Sequence, residues 1–403
     1  MPAPGAEAMK YDIAGTSWGE EEPDAVRRLI DEGRFTMGDH VRDFERAFAS
    51  KLGVRHAVMV NSGSSANLVA VASLCHLQER PLQRGDEAIV PALSWATTFY
   101  PLQQYGLRLR FVDVELDTLT IDASQLEAAL TPRTRMVVAV NILGNPAALD
   151  RVRAFCDRHA LYLLEDNCES MGASLDGRAC GTFGDVGTFS TFYSHQLSTM
   201  EGGILVSDNA EIAGLARAIR NHGWVRADAQ DSFPEAYRFV VPGYNVRPLD
   251  MAGAVGLEQL KKFDGLIEAR RENASRFFDL FGSDERFIVQ RERGRSSWFS
   301  FTLILNPCLQ VERARVLAAL RAAGIEFRMI TGGCFLRHEA IKYFAYETVG
   351  EIVNANIAHD RGFFVGNQAR DLSAEIQHLR TVLDAAAMPT ARQPGTDLRG
   401  RVL

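Results

Sequence analysis

The chain has 403 residues, 46% of them hydrophobic, enough to fill the cores of one large unit and a smaller one. A net charge of -7 gives no basic face for nucleic acid, and no apolar run approaches the ~20 residues that cross a bilayer. Small molecules are the expected partners, rather than nucleic acid or membrane.

Residues 1–22 form an N-terminal segment without the basic and apolar blocks of a secretory signal, so a cytoplasmic location is expected. The apolar, β-rich runs Glu87 to Pro91, Leu109 to Val114, Met136 to Val140 and Leu161 to Leu164 then alternate with helical patterns such as Asp150 to His159. This alternation predicts an α/β fold with a mostly parallel sheet, whose ligands gather at the carboxyl ends of the strands. The large unit is expected over residues 23–264, with a helix at Glu211 to Asn221, an irregular stretch at Trp224 to Pro248 and a further helix from Met251 that continues into a charged helical segment near Leu266 to Leu280. A strand at Ser297 to Leu305 and helices at Val311 to Ala323 and Ala374 to Ala385 predict a small α+β domain over residues 265–388. Residues 389–403, rich in polar and turn-forming types, read as a disordered tail. Six cysteines (Cys75, Cys156, Cys168, Cys180, Cys308, Cys334) show no CxxC pair and no zinc-like spacing. They read as reduced, mostly buried thiols, and no metal site is expected.

Three motifs carry chemistry. In Asn61-Ser62-Gly63-Ser64-Ser65-Ala66-Asn67, small hydroxyl residues and a glycine precede the apolar helix Leu68 to Leu77. A helix N-terminus of this kind binds phosphate through backbone amides and hydroxyls, although a plain serine N-cap would look the same. Glycine-rich dinucleotide and P-loop patterns are absent. Downstream, Leu164-Glu165-Asp166-Asn167-Cys168-Glu169 places acids directly after a strand, where Asp166 could face a pyridine nitrogen or simply cap a loop. Trp95 also follows a strand and reads either as a core residue or as a shelf for a flat ring.

In this order the motifs resemble the DegT-type nucleotide-sugar aminotransferase family, which has the fold type I architecture of pyridoxal phosphate (PLP) enzymes such as aspartate aminotransferase. The likeness extends through Phe35-Thr36-Met37-Gly38, Leu143-Gly144-Asn145-Pro146, Gly181 to Ser190, Glu201-Gly202-Gly203, Gly243-Tyr244-Asn245-Val246-Arg247-Pro248 and Ser296-Ser297-Trp298-Phe299. Ordinary members carry a Schiff-base lysine six residues before the Glu of Glu-Gly-Gly. Here that position is His195, which marks the family's dehydratase subgroup. Imidazole cannot form the covalent link but moves protons near neutral pH. Beside it, Gln196 stands where the subgroup leads one to expect a second histidine.

The resemblance implies phosphate contacts from Gly63, Ser64 and Ser190, stacking by Trp95, a pairing of Asp166 with the ring nitrogen, and Glu169 near the ring hydroxyl. It further implies a homodimer with shared active sites, in which Asn245 and His222 reach the neighbouring chain's cofactor, although His222 reads equally as a surface histidine at a helix end. The implied reaction is C-3 deoxygenation of a nucleotide-linked 4-keto-6-deoxyhexose by pyridoxamine phosphate (PMP), the amine form of PLP. His195 would act as the acid/base, L-glutamate would restore the amine, and ammonia would be released. GDP is the nucleotide preferred by likeness, with CDP and TDP left open. A cluster-bearing branch of the subgroup is disfavoured, since no cysteine lies between Gly203 and Pro307 and an iron–sulfur cluster needs about four. The alternatives are a sugar 4-aminotransferase and a non-catalytic binding protein.

Overall fold

The computed structural model describes residues 9–225 and 237–387, so the tail expected at 389–403 lies outside the described residues. Its main sheet has eight strands. Seven are β1 (His56–Val60), β2 (Glu87–Pro91), β3 (Arg108–Val112), β4 (Thr134–Val140), β5 (Tyr162–Asp166), β6 (Val186–Ser190) and β7 (Gly203–Ser207). They lie in the order β1-β7-β6-β5-β4-β2-β3, and the short strand Tyr346–Thr348 completes the sheet on the outer edge of β3. The expected strand runs all form, Glu87–Pro91 at its expected bounds and the others with ends displaced by no more than three residues.

All pairings are parallel except those of β7, which runs against both β1 and β6. The reversal has a positional consequence. The carboxyl ends of β1 and β6 meet the beginning of β7, where Val60 and Ser190 both pair with Gly203. A chain read as strictly strand–helix–strand would put Glu201-Gly202-Gly203 at the far end of the sheet, whereas the antiparallel strand returns it to the ligand end. Strands buried on both faces are nearly continuous apolar runs, as in β4 and in Val58 to Val60, because helices cover each side.

The helix opening at the phosphate-like turn is α1 (Gly63–Cys75), and α2 (Ala96–Gln104) begins directly after Trp95. Two helices that the element pattern did not anticipate, Glu21–Glu32 and Asp39–Leu52, precede β1, and each ends on a glycine in the left-handed region, Gly33 and Gly53. The helix from Met251 and the charged helical segment expected to follow it form one element, α3 (Asp250–Phe281), so residue 265, where the small domain is expected to begin, lies inside a helix.

A second apolar cluster gathers Phe277, Phe281, Phe301, Leu303, Leu320, Phe363 and Leu379 around the antiparallel sheet made by Phe287–Val289, Ser300–Leu305, Gly362–Gly366 and Phe327–Arg328. We propose this as the core of the small domain. The N-terminal segment belongs to the same packing. Tyr11 is fully buried in the cluster, its hydroxyl donates to the Gly366 carbonyl at 2.7 Å, and its backbone pairs with Gly324 and Glu326. The cysteines are all free, with Cys156, Cys180 and Cys334 buried. Among the described residues, no helix is long and apolar enough to cross a membrane.

Candidate active site

Side chains alternate along a strand, and β5 uses this alternation to separate its two acids. Glu165 turns away from the ligand end and is fully buried, accepting hydrogen bonds from the amides of Gly181 at 2.7 Å and Gly184 at 2.6 Å. Its role is to hold that loop. Asp166 faces the other way and accepts from Asn67 Nδ2 at 2.8 Å, Thr98 Oγ1 at 2.7 Å and the Cys168 amide at 3.2 Å. Every partner donates, so all three bonds hold the carboxyl group in place. Thr188 Oγ1 donates to Asn67 Oδ1 at 2.6 Å, fixing which end of that amide points at Asp166. Asn67 closes the Ser-Gly-Ser-Ser turn and Thr98 lies just beyond Trp95, yet no local sequence pattern marks either as a partner of Asp166.

At the start of α1, Ser62 is the N-cap and its Oγ accepts from the Ser65 amide at 3.1 Å. The serine-cap reading is therefore realised on Ser62, which leaves the Ser64 side chain outside the cap. Ser64 Oγ pairs with Thr97 Oγ1 at 2.8 Å, and Ser190 at the end of β6 sits directly against the turn. A Cβ on Gly63 would come within 2.7 Å of Ser190 Cβ and 2.9 Å of Cys168 Sγ, so only glycine lets helix and strand end approach this closely. Gly203 has the same constraint against the Ser62 carbonyl, at 2.1 Å.

Gly63, Ser64, Trp95, Asp166, Glu169, Ser190 and His195 all line a single cavity of about 330 Å³. Trp95 is 58% exposed, which rules out the core reading for this indole and leaves its ring free to cover a ligand. Asn245 and His222 are not part of this chain's cavity. Asn245 is exposed, and His222 Nε2 lies 2.9 Å from Arg247 Nη1.

His195 rides on a loop closed at its base by Thr191 and Thr199, whose hydroxyls are 2.6 Å apart and whose backbones pair at 2.9 Å. The imidazole is wedged edge-on between Phe192 and Phe299, with ring centroids 5.8 and 5.0 Å away. Burial, reinforced by the buried Arg270 guanidinium, pushes its pKa down to about 3, and Nδ1 is buried without a partner. Such a group is a neutral imidazole of low basicity, facing the cavity. Burial likewise pushes Glu169 up to about 7, against the opposing hydrogen bond from the Leu143 amide at 3.0 Å. Gln196, the departure from the subgroup pattern, is buried, and its Nε2 donates to the Glu169 carbonyl at 2.6 Å and Ser297 Oγ at 3.0 Å. It ties the loop carrying His195 to the loop carrying Glu169 and leaves the imidazole in the cavity.

A family model described as the DegT/DnrJ/EryC1/StrS aminotransferase family matches residues 16–378. The chain belongs to that family. Within it, the GDP-4-keto-6-deoxy-D-mannose 3-dehydratase of Yersinia pseudotuberculosis is 45% identical over 386 residues, covering 93% of this chain and 98% of that protein. The protein of the same name from Escherichia coli O55:H7 is also 45% identical, over 93% and 100% of the two chains. A solved structure of the E. coli enzyme with bound hydrated PLP superposes with a TM-score of 0.90, at 45% identity and over 94% and 100% of the chains.

The residues present fit the family's cofactor. Gly63, Ser64 and Ser190 meet at the N-terminus of α1, Trp95 leaves an indole face open to the cavity, and Asp166 is an anchored acceptor that lines it. One family feature is missing: the chain has five lysines, Lys10, Lys51, Lys261, Lys262 and Lys342, and none lines the cavity. Lys51 pairs with Asp264, Lys261 with Glu258 and Lys262 with Glu22, all on the surface of α3 or the helices packed on it.

Proposed function

We propose that the chain is a C-3 dehydratase that removes the C-3 hydroxyl of a nucleotide-linked 4-keto-6-deoxyhexose, with GDP-4-keto-6-deoxy-D-mannose as its preferred substrate. L-Glutamate supplies the amino group that is finally released as ammonia. The observation that carries this reading is an imidazole, His195, standing in a phosphate-and-ring cavity that no lysine of the chain lines.

Bound without a covalent link, PMP supplies an amine for the C-4 ketone and a ring that takes up electrons. This chain's residues then have distinct tasks. Gly63, Ser64 and Ser190 hold the phosphate at the N-terminus of α1, where the helix dipole favours an anion. Asp166 faces the ring nitrogen and favours a proton there, and the bonds from Asn67 and Thr98 keep that carboxyl group aimed. Trp95 covers one ring face and excludes water, while Glu169 lies beside the ring hydroxyl. His195 removes the proton from the cofactor's C4′ carbon and delivers a proton to the departing C-3 oxygen. The low basicity of this imidazole in its pocket suits the second task, since a proton placed there is readily given up.

We further propose that two chains share their active sites, Asn245 and His222 of each completing the cavity of the other. In support, neither residue lines its own chain's cavity, and the exposed apolar side chains Phe35, Phe239 and Leu249 suit burial against a second copy.

The test is to incubate the protein with L-glutamate and a panel of nucleotide-linked 4-keto-6-deoxyhexoses. The expected products are ammonia and a sugar lighter by one oxygen, with turnover highest for the GDP sugar. A sugar that instead retains an amino group at C-4 would make the chain an aminotransferase, and no turnover with any member of the panel would leave it a binding protein.

A further inference from the structure

Residues 331–333 lie far along the chain from every cavity motif, and they enter the site in an unusual conformation. Thr331 has φ 41° and ψ 43°, and Gly332 and Gly333 follow with φ of 77° and 82°. Glycine tolerates the left-handed region without cost, whereas a β-branched residue there is strained and persists only when its surroundings impose it. Those surroundings are visible. The Phe335 amide donates to the Ala92 carbonyl at 2.8 Å, and Cys334 bridges to Leu93, stitching this segment to the chain leading into Trp95. His338 Nε2 lies 2.7 Å from the Gly332 carbonyl, and the Cys334 amide donates to His359 Nδ1 at 3.2 Å. The result is that buried Thr331 lines the cavity and its Oγ1 donates to Glu169 Oε2 at 3.3 Å.

We propose that Thr331 is a positioning residue for Glu169, held in its strained conformation so that its hydroxyl orients the carboxyl beside the cofactor's ring. The groups around that carboxyl are Asp166 at the end of β5, Cys168 on the loop after it, the Leu143 amide in the turn after β4, and His195 across the cavity. Thr331 is the one side-chain hydroxyl donating to it among the described residues, and this bond favours the charged form against the burial that opposes it.

The inference rests on the dehydratase reading for its turnover readout alone. The spectroscopic readout is independent: the Glu169 carboxyl is titrated in cofactor-free protein by difference infrared spectroscopy and assigned by its absence in Glu169→Gln. In Thr331→Val, which keeps the shape and loses the hydroxyl, the midpoint is expected to rise and kcat/KM to fall about tenfold, with the melting temperature near that of the parent. Thr331→Ser is expected to restore both within about twofold. Thr331→Gly is expected to melt higher than the parent, because the strain is gone, while losing turnover as the valine variant does. A valine variant with an unchanged carboxyl midpoint would overturn the proposal, as would a serine variant as impaired as valine. If the midpoint moves but no sugar of the panel is turned over by the parent, the function is wrong and the positioning role stands.

Discussion

His195→Asn is expected to fold and to bind PMP about as tightly as the parent, while deoxygenation falls by about a thousandfold. One side chain is asked to take a proton from carbon and to deliver one to oxygen, and general acid–base groups contribute on the order of 10²–10⁴ each time they act. Asparagine fills the same space between Phe192 and Phe299 but carries no proton to move. The variant also has a signature that needs no substrate. The parent's imidazole is neutral in the folded state down to about pH 3 and ordinary in the unfolded chain, so between about 6.5 and 3 the unfolded chain binds more protons. The parent's stability is fully present above that window and is lost as pH falls through it. The slope is at most about 1.4 kcal/mol per pH unit, an upper bound because the ring is partly open to the cavity. The asparagine variant lacks this contribution, and thermal melts of cofactor-free parent and variant from pH 7 to pH 4 should diverge, the parent losing more.

Asp166→Ala is the second large effect. It removes the proposed acceptor for the ring nitrogen and strands two buried donors, Asn67 Nδ2 and Thr98 Oγ1. Leaving buried polar groups unpaired costs about 1–3 kcal/mol each, so a lower melting temperature is expected along with weaker cofactor binding. Affinity for PMP, measured by calorimetry, should fall about a hundredfold or more, and turnover should fall further still, because the ring has lost what keeps it protonated. Equal loss of stability with unchanged cofactor affinity would mean that Asp166 is a structural residue for α1 and α2.

The parts of the site legible in the sequence are those whose signals are local. Asp166 was legible because it ends an apolar strand, and Trp95 because it follows one, whereas Ser190 came from the family resemblance alone. Parallel strands put such ends on one edge, where α1's phosphate turn also opens. The lysine-to-histidine exchange was legible because Glu201-Gly202-Gly203 gives a fixed ruler for counting back to residue 195. The reversed direction of β7 was not legible, since an apolar five-residue run reads the same in either direction. Helices Glu21–Glu32 and Asp39–Leu52 did carry signals, in glycines at Gly33 and Gly53 that stop each one. Thr331, Phe299 and Arg270 reach the site from far along the chain, a long-range meeting that no local pattern encodes. Glu165 and Asp166, adjacent in sequence, take opposite roles because a strand sends neighbours to opposite faces.

A cofactor that sits beside His195 with no bond to the chain is the premise on which the proposed chemistry depends. The direct measurement is the intact mass of the denatured protein after loading with PLP and reduction with borohydride, with His195→Lys treated in parallel. The prediction is an unmodified mass for the parent and a pyridoxyl adduct on residue 195 of the lysine variant. A stoichiometric pyridoxyl group fixed to any side chain of the parent would contradict it.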